Sequence, residues 1–152
     1  MDAADLRARI EAGLTFRHSL EGGVVFTVCL PTRNAHDQLV RESLGPAGEA
    51  GPSTVGVYRF ELVARALRGW ENICVRDLWP EHEEAGSPLP FGVDTARLLM
   101  EERTDWLDRL YVEIARRVGE RAKALEADRG NSPRGSAGSG ADPTPTSIAA
   151  PV

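Results

Sequence analysis

Lysine is almost missing from this chain. Of its 18 basic residues only Lys123 is a lysine, and 23 acidic residues outweigh them to leave a formal net charge of −5. Neutralising a phosphate backbone takes a surplus of Lys and Arg, so this balance argues against a nucleic-acid partner, although it leaves room for a local basic patch. Cysteine is equally scarce. Cys29 and Cys74 are too few for a disulfide framework or a zinc cage, and both are expected to be reduced and buried. No stretch approaches the roughly 20 consecutive apolar residues that span a bilayer. The first residues, Met1-Asp2-Ala3-Ala4-Asp5-Leu6-Arg7, have neither the basic start nor the apolar run of a signal peptide. A soluble, cytoplasmic protein with no membrane partner is the expectation. The glycine-rich phosphate cradle, the dinucleotide fingerprint, the paired-histidine zinc helix and the serine nucleophile elbow are all absent.

What is present is ordinary globular material: 41% hydrophobic and 27% charged over 152 residues. The length suits one domain with a tail. From Asp128 the chain reads DRGNSPRGSAGSGADPTPTSIAAPV. Such a segment has too little apolar surface to offset the entropy of ordering it. A folded domain over 1–127 and a disordered Gly/Ser/Pro/Ala-rich tail over 128–152 are therefore expected. Four glycines and two prolines within Gly45–Gly56 predict a long loop, and Trp79–Phe91, with three prolines, predicts another.

Between these breaks the periodicities predict an α+β protein, a mostly helical small domain with an N-terminal β-hairpin. Leu6 and Ile10, four apart, give Asp2–Ala12 one apolar side. Leu14–Leu30 reads as a hairpin turning at Glu21-Gly22-Gly23, with Val24, Phe26, Val28 and Leu30 on one face of its second strand and Val25, Thr27 and Cys29 on the other. Pro31 ends that strand, and Thr32 or Asn34 caps a helix over about 35–43. Val57–Arg68 reads as a buried helix stopped by Gly69. Trp70–Leu78 is either a short strand or an irregular crossing. Asp94 is the expected cap of a helix to Glu102, and Thr104 or Asp105 starts another reaching about Ala127, with Leu107, Leu110, Ile114 and Val118 as its stripe.

Few residues invite chemistry. His82 stands among Glu81, Glu83 and Glu84, but neighbouring loop residues seldom converge on one ion, so a solvated acidic loop is the better reading and no metal or other cofactor is assigned. Cys29 lies between Val28 and Leu30, the setting of an inert thiol rather than a nucleophile. Asp105 and Asp108 are one turn apart on a helix and read as solvated surface. No catalytic residue is assigned, and the protein is expected not to be an enzyme. Of the tryptophans, Trp70 and Trp106 are expected in the core, whereas Trp79, beside Pro80, is as easily an interface residue.

Two segments together resemble a known family. The first is Val24–Ser43, VVFTVCLPTRNAHDQLVRES. The second runs from Val57 to Lys123: a buried helix ends in Arg68-Gly69-Trp70-Glu71-Asn72, an acidic loop comes next, then Gly86-Ser87-Pro88-Leu89-Pro90-Phe91, then Val93-Asp94 four residues before Leu98-Leu99. In order and spacing these resemble the tail assembly chaperones of long-tailed, siphovirus-type bacteriophages. The resemblance implies a non-enzymatic protein of the host cytoplasm that coats the aggregation-prone tape measure protein while the tail tube polymerises and is absent from the mature virion. It implies the tape measure protein as partner, with the tail tube protein and a second copy of the chain as further candidates, and a longer form made by ribosomal frameshifting. A holdase needs exposed apolar surface, so Trp79, Leu89, Phe91, Leu98 and Leu99 are the candidate partner-binding residues. For Leu89 and Phe91 the alternative is a plug in the core. A structural neck or tail-completion protein retained in the particle is the other reading of function.

Overall fold

The computed structural model describes residues 1–44 and 52–130. Two compact units divide the chain, Met1–Ala115 and Arg116–Val152. In the described residues the architecture is α+β, with helices dominating and a three-stranded antiparallel sheet near the N-terminus.

The first helix, α1 (Ala3–Leu14), starts where Asp2 caps it, Oδ1 accepting from the Asp5 N–H at 2.9 Å. The hairpin comes next: β1 (Thr15–Ser19) and β2 (Val25–Cys29) pair antiparallel with Phe16 opposite Val28 and His18 opposite Phe26. Gly22 and Gly23 make its turn, both at φ +78°, a conformation open to glycine and costly for residues with a Cβ. The predicted inward face is the observed one: Val24, Phe26, Val28 and Leu30 are all buried. On the opposite face Arg17 reaches across the sheet to pair with Glu71.

The helix α2 (Arg33–Leu44) is capped by Thr32, whose Oγ1 accepts from Ala35 N–H at 3.2 Å. The expected loop at Gly45–Gly56 is shorter at its far end. The helix α3 (Pro52–Ala66) begins at Pro52, a residue pre-set for the first helical position. The rest of that loop, 45–51, lies outside the described residues.

The expected helix over Val57–Arg68 needs correction at its C-terminus. Leu67 already belongs to a strand, β3 (Leu67–Glu71), which pairs antiparallel with β2: Val28 opposite Leu67, Thr27 opposite Gly69, Phe26 opposite Trp70. The register shifts between Thr27 and Val28, a bulge that takes up Arg68. Gly69 is thus a strand residue facing Thr27, not a helix stop. The chain leaves the sheet at Asn72, which holds φ +65° and donates its Nδ2 to Gly23 O at 2.7 Å, tying this exit to the hairpin turn.

The helices α4 (Val93–Glu102) and α5 (Thr104–Gly130) are separated at Arg103, close to the expected break. Asp94 does not cap α4. Gly92 occupies that position without a side-chain bond, and Asp94 sits in the first turn, where a carboxylate still suits the helix dipole. Leu107, Leu110 and Ile114 are buried as the stripe predicted. The helix continues through Asp128 to Gly130, and the remainder of the predicted tail, 131–152, lies outside the described residues.

In the first unit, Phe26 on β2 presents to two tryptophans edge to face: Trp70 of β3 at 6.3 Å and Trp106 of α5 at 5.7 Å between centroids. Trp106 is buried as expected, and Trp70 is half-buried at the edge of the core. Phe26, Val28, Val63, Leu99, Met100, Leu110 and Ile114 have no exposed surface. Around this core runs a chain of ion pairs. Arg65 bonds Glu42 of α2 at 3.0 Å and Glu61 within α3 at 3.1 Å, and Glu61 also accepts from Arg97 of α4. The hydrogen bond from Arg97, together with the weaker effect of that from Arg65, holds the Glu61 carboxyl below its ordinary value of 4.5 against the opposing effect of burial. A carboxyl with a lowered folded pKa stabilises the fold fully above that ordinary value and progressively less as pH falls through the folded one. Glu61→Gln should therefore lower the urea midpoint at pH 7, and its stability should fall less steeply than the parent's below pH 4.5. Equal steepness in urea titrations at pH 7 and pH 3 would assign the acid sensitivity elsewhere.

Candidate partner-binding surface

The segment after Asn72 looks like a loop in sequence but is tied along its length. Ile73 is buried, and its carbonyl accepts from Leu89 N–H at 2.8 Å. Val75 N–H donates to Ser87 O and Arg76 N–H to Ala85 O, both at 2.8 Å, so 73–76 and 85–89 run antiparallel around a bridge between Cys74 and Pro88. A 3-10 turn over Val75–Asp77 opens the excursion, and the Asp77 carboxylate accepts from Cys74 N–H at 2.8 Å.

This ribbon carries the Pro88-Leu89-Pro90-Phe91 loop back onto β3. Trp70 Nε1–H donates to Leu89 O at 2.7 Å, and the Trp70 and Phe91 rings meet at 4.9 Å with planes at 74°. Both prolines lack an N–H, so neither adds an unsatisfied donor here. A guanidinium clamps the other end. Arg103 lies 3.6 Å from the centre of the Trp106 ring and pairs with Asp105 at 2.9 Å and Asp77 at 3.5 Å. The hydrogen bond from Arg103 holds the Asp105 carboxyl below its ordinary value. Asp105 and Asp108 therefore each have an arginine partner, Asp108 through Arg59 at 3.2 Å.

The five candidate residues fall into different environments. Trp79 is 55% exposed, and its one ring contact among the described residues is with His82 at 4.6 Å. Leu89 is half-buried and contributes backbone to the Trp70 contact. Phe91 packs one side on Trp70 while 37% of the residue stays exposed. Leu98 is 49% exposed on α4. Leu99 has no exposed surface, so it belongs to the core and leaves the set of surface residues. Adjacent positions on α4 fall inside and outside there, which a Leu-Leu pair cannot reveal by itself. Val93 lies outside the predicted set, yet at 73% it is the most exposed of these residues and extends the apolar surface at the start of α4.

The histidine among glutamates does not gather ligands. His82 Nδ1 accepts from Glu84 N–H at 3.0 Å while its ring lies against Trp79, and no group of three or more His, Cys, Asp or Glu among the described residues is placed to hold a metal. Both cysteines are free thiols. Cys29 is buried with its sulfur near the carbonyls of Glu11 and Leu30, whereas Cys74, expected to be buried, is only partly so because it sits at the start of the ribbon. No described helix is long and apolar enough to cross a membrane. A second apolar region, which no motif marks, is a trough between α1 and the ends of α2 and α3, where Leu6 and Ile10 stand half-exposed. A signal for it exists in the sequence: with only two large apolar residues in its first three turns, α1 has too narrow a stripe for full burial.

Comparisons with known protein families, with curated proteins and with solved structures give no match for this chain.

Trp70→Phe keeps an aromatic ring against Phe26 and Phe91 but removes the donor to Leu89 O. It should cost about 1 kcal/mol in urea unfolding and speed amide exchange at Leu89 before that of the core strands. Unchanged exchange at Leu89 would mean that the tryptophan does not hold this loop.

Proposed function

We propose that this protein is a non-enzymatic tail assembly chaperone that binds the tape measure protein and keeps it soluble while the tail tube polymerises. It acts in the host cytoplasm and leaves before the particle matures. The observation that carries this reading is the meeting of two motifs within the second of the segments behind the resemblance. The Gly69-Trp70 pair and the Pro88–Phe91 loop lie far apart in sequence, yet Trp70 bonds the loop backbone and packs on Phe91. Motifs that form one contact constrain one another's spacing, so their joint occurrence is stronger support than either alone. The loop leaves Phe91 partly open next to Val93 and the α4 surface carrying Leu98. An exposed apolar surface of this kind suits transient cover of another protein's apolar segments.

The chemistry required is modest. A holdase needs apolar anchors with a polar surround and enough net charge to stay dispersed, here −5 over the chain. The test is co-expression with the tape measure protein of the same genome, then size-exclusion chromatography with light scattering. The client should become soluble and co-elute with several copies of this protein, and Phe91→Ser with Leu98→Ser should lower the recovered client several-fold while leaving the chaperone's own fold intact. A client that still precipitates, with this protein eluting alone, would defeat the proposal. Recovery of the protein from purified particles would replace it with the neck or tail-completion role.

A further inference from the structure

The apolar trough has a volume of about 550 Å³ and is bounded by α1 on one side and by the start of α2 and the end of α3 on the other. Its floor is made by Leu14, Leu30, Leu39 and Leu62, all buried from the core side. Its near wall is Leu6 and Ile10, which keep 51% and 43% of their surface exposed although they sit four apart on one side of α1. Two half-open aliphatic side chains facing a leucine floor leave an open channel between helices rather than an enclosed small-molecule cavity. An apolar helix face with anchors at i, i+4 and i+7 is the shape that fits such a channel.

The charge of the lining selects the occupant. The lining carries Arg7, Arg65 and Arg68 against a single carboxylate, Glu11, in a chain whose overall charge is −5. Arg65 is occupied by Glu42 and Glu61. Arg68 uses one nitrogen, Nη1, on the carbonyls of Arg65 and Leu67, and neither it nor Arg7 makes an ion pair among the described residues. Two unpaired guanidiniums flanking an apolar channel are matched by carboxylates flanking an apolar stripe. We infer that the trough between α1, α2 and α3 is a docking site for an acidic amphipathic helix of another protein. Its leucine-type anchors lie on Leu6, Ile10 and the floor, and its carboxylates meet Arg7 and Arg68. This inference stands on the trough alone and does not require the chaperone reading, whose surface lies at Phe91 and α4.

The experiment uses fluorescence anisotropy with the full chain and three synthetic peptides of about 18 residues, long enough to form a helix. One has leucines at helical spacing flanked by glutamates, one has lysines in place of the glutamates, and one is the acidic peptide scrambled. The acidic peptide should bind at least about tenfold more tightly than either other, and raising the salt should weaken it. Ile10→Glu should abolish that binding, and Arg68→Glu should reverse the preference toward the lysine peptide. Both residues are exposed, so circular dichroism should show both variants folded. Equal binding of the acidic and basic peptides, no binding of either, or unchanged binding by Ile10→Glu would overturn the inference. So would a dimer seen by light scattering that Ile10→Glu disperses, because the occupant would then be a second copy of this chain.

Discussion

Phe26 has no exposed surface and takes the edges of Trp70 and Trp106 at once. Much of the first unit depends on that arrangement. Phe26 lies on the middle strand, Trp106 in the first turn of α5, and Trp70 is the strand residue to which the proline loop is fastened. Edge-to-face pairs of this kind contribute about 0.5–1.5 kcal/mol each beyond the burial of their area. Their larger consequence is geometric. With Trp70 held by Phe26 on one side, its indole N–H has a defined direction, and that direction meets Leu89 O. The position of Phe91 at the surface is thus set from the core outward.

The near-absence of lysine acquires a structural meaning in the same region. Arg59, Arg97 and Arg103 each lie over an aromatic ring, of Tyr111, Phe60 and Trp106 respectively, and each also binds a carboxylate. A planar guanidinium can stack on a ring while its edges donate to an acid, which a compact ammonium cannot do. Exposed ion pairs alone contribute little, about 0–1 kcal/mol each. Pairs that also cover an aromatic face bring packing as well as charge. The run from Glu42 through Arg65 and Glu61 to Arg97, with Arg97 over the Phe60 ring, joins α2, α3 and α4.

Two apolar surfaces result, of different origin. The one at Phe91, Val93 and Leu98 comes from a loop delivered by its hydrogen-bonded ribbon onto β3 and continued along the first turns of α4. The one at Leu6 and Ile10 comes from a helix set beside, rather than over, a leucine floor. Near the first in sequence stand Glu83, Glu84, Asp94, Glu101 and Glu102, with Arg97 and Arg103 among them. The charged side chains lining the second are Arg7, Arg65, Arg68 and Glu11.

Much of the fold was legible from local pattern. Alternation from Val24 to Leu30, the paired glycines before it and Pro31 after it specify the hairpin. The stripe from Leu107 to Ile114 specifies the inner side of α5. These signals are readable because a strand's period of two and a helix's period near 3.6 are consequences of backbone geometry, present before any contact forms. What only the tertiary structure decided is what lies against each apolar side. Leu67 and Arg68 continue a helical pattern and still enter a strand, because β2 offers an unpaired edge there. Leu98 and Leu99 are chemically identical neighbours, one exposed and one sealed, because α4 turns one of them into the core. Leu6 and Ile10 make a proper helical stripe that the rest of the chain leaves half-open. Periodicity states that a face is apolar. Whether it is covered depends on segments far away in sequence, and that is settled only by how they pack.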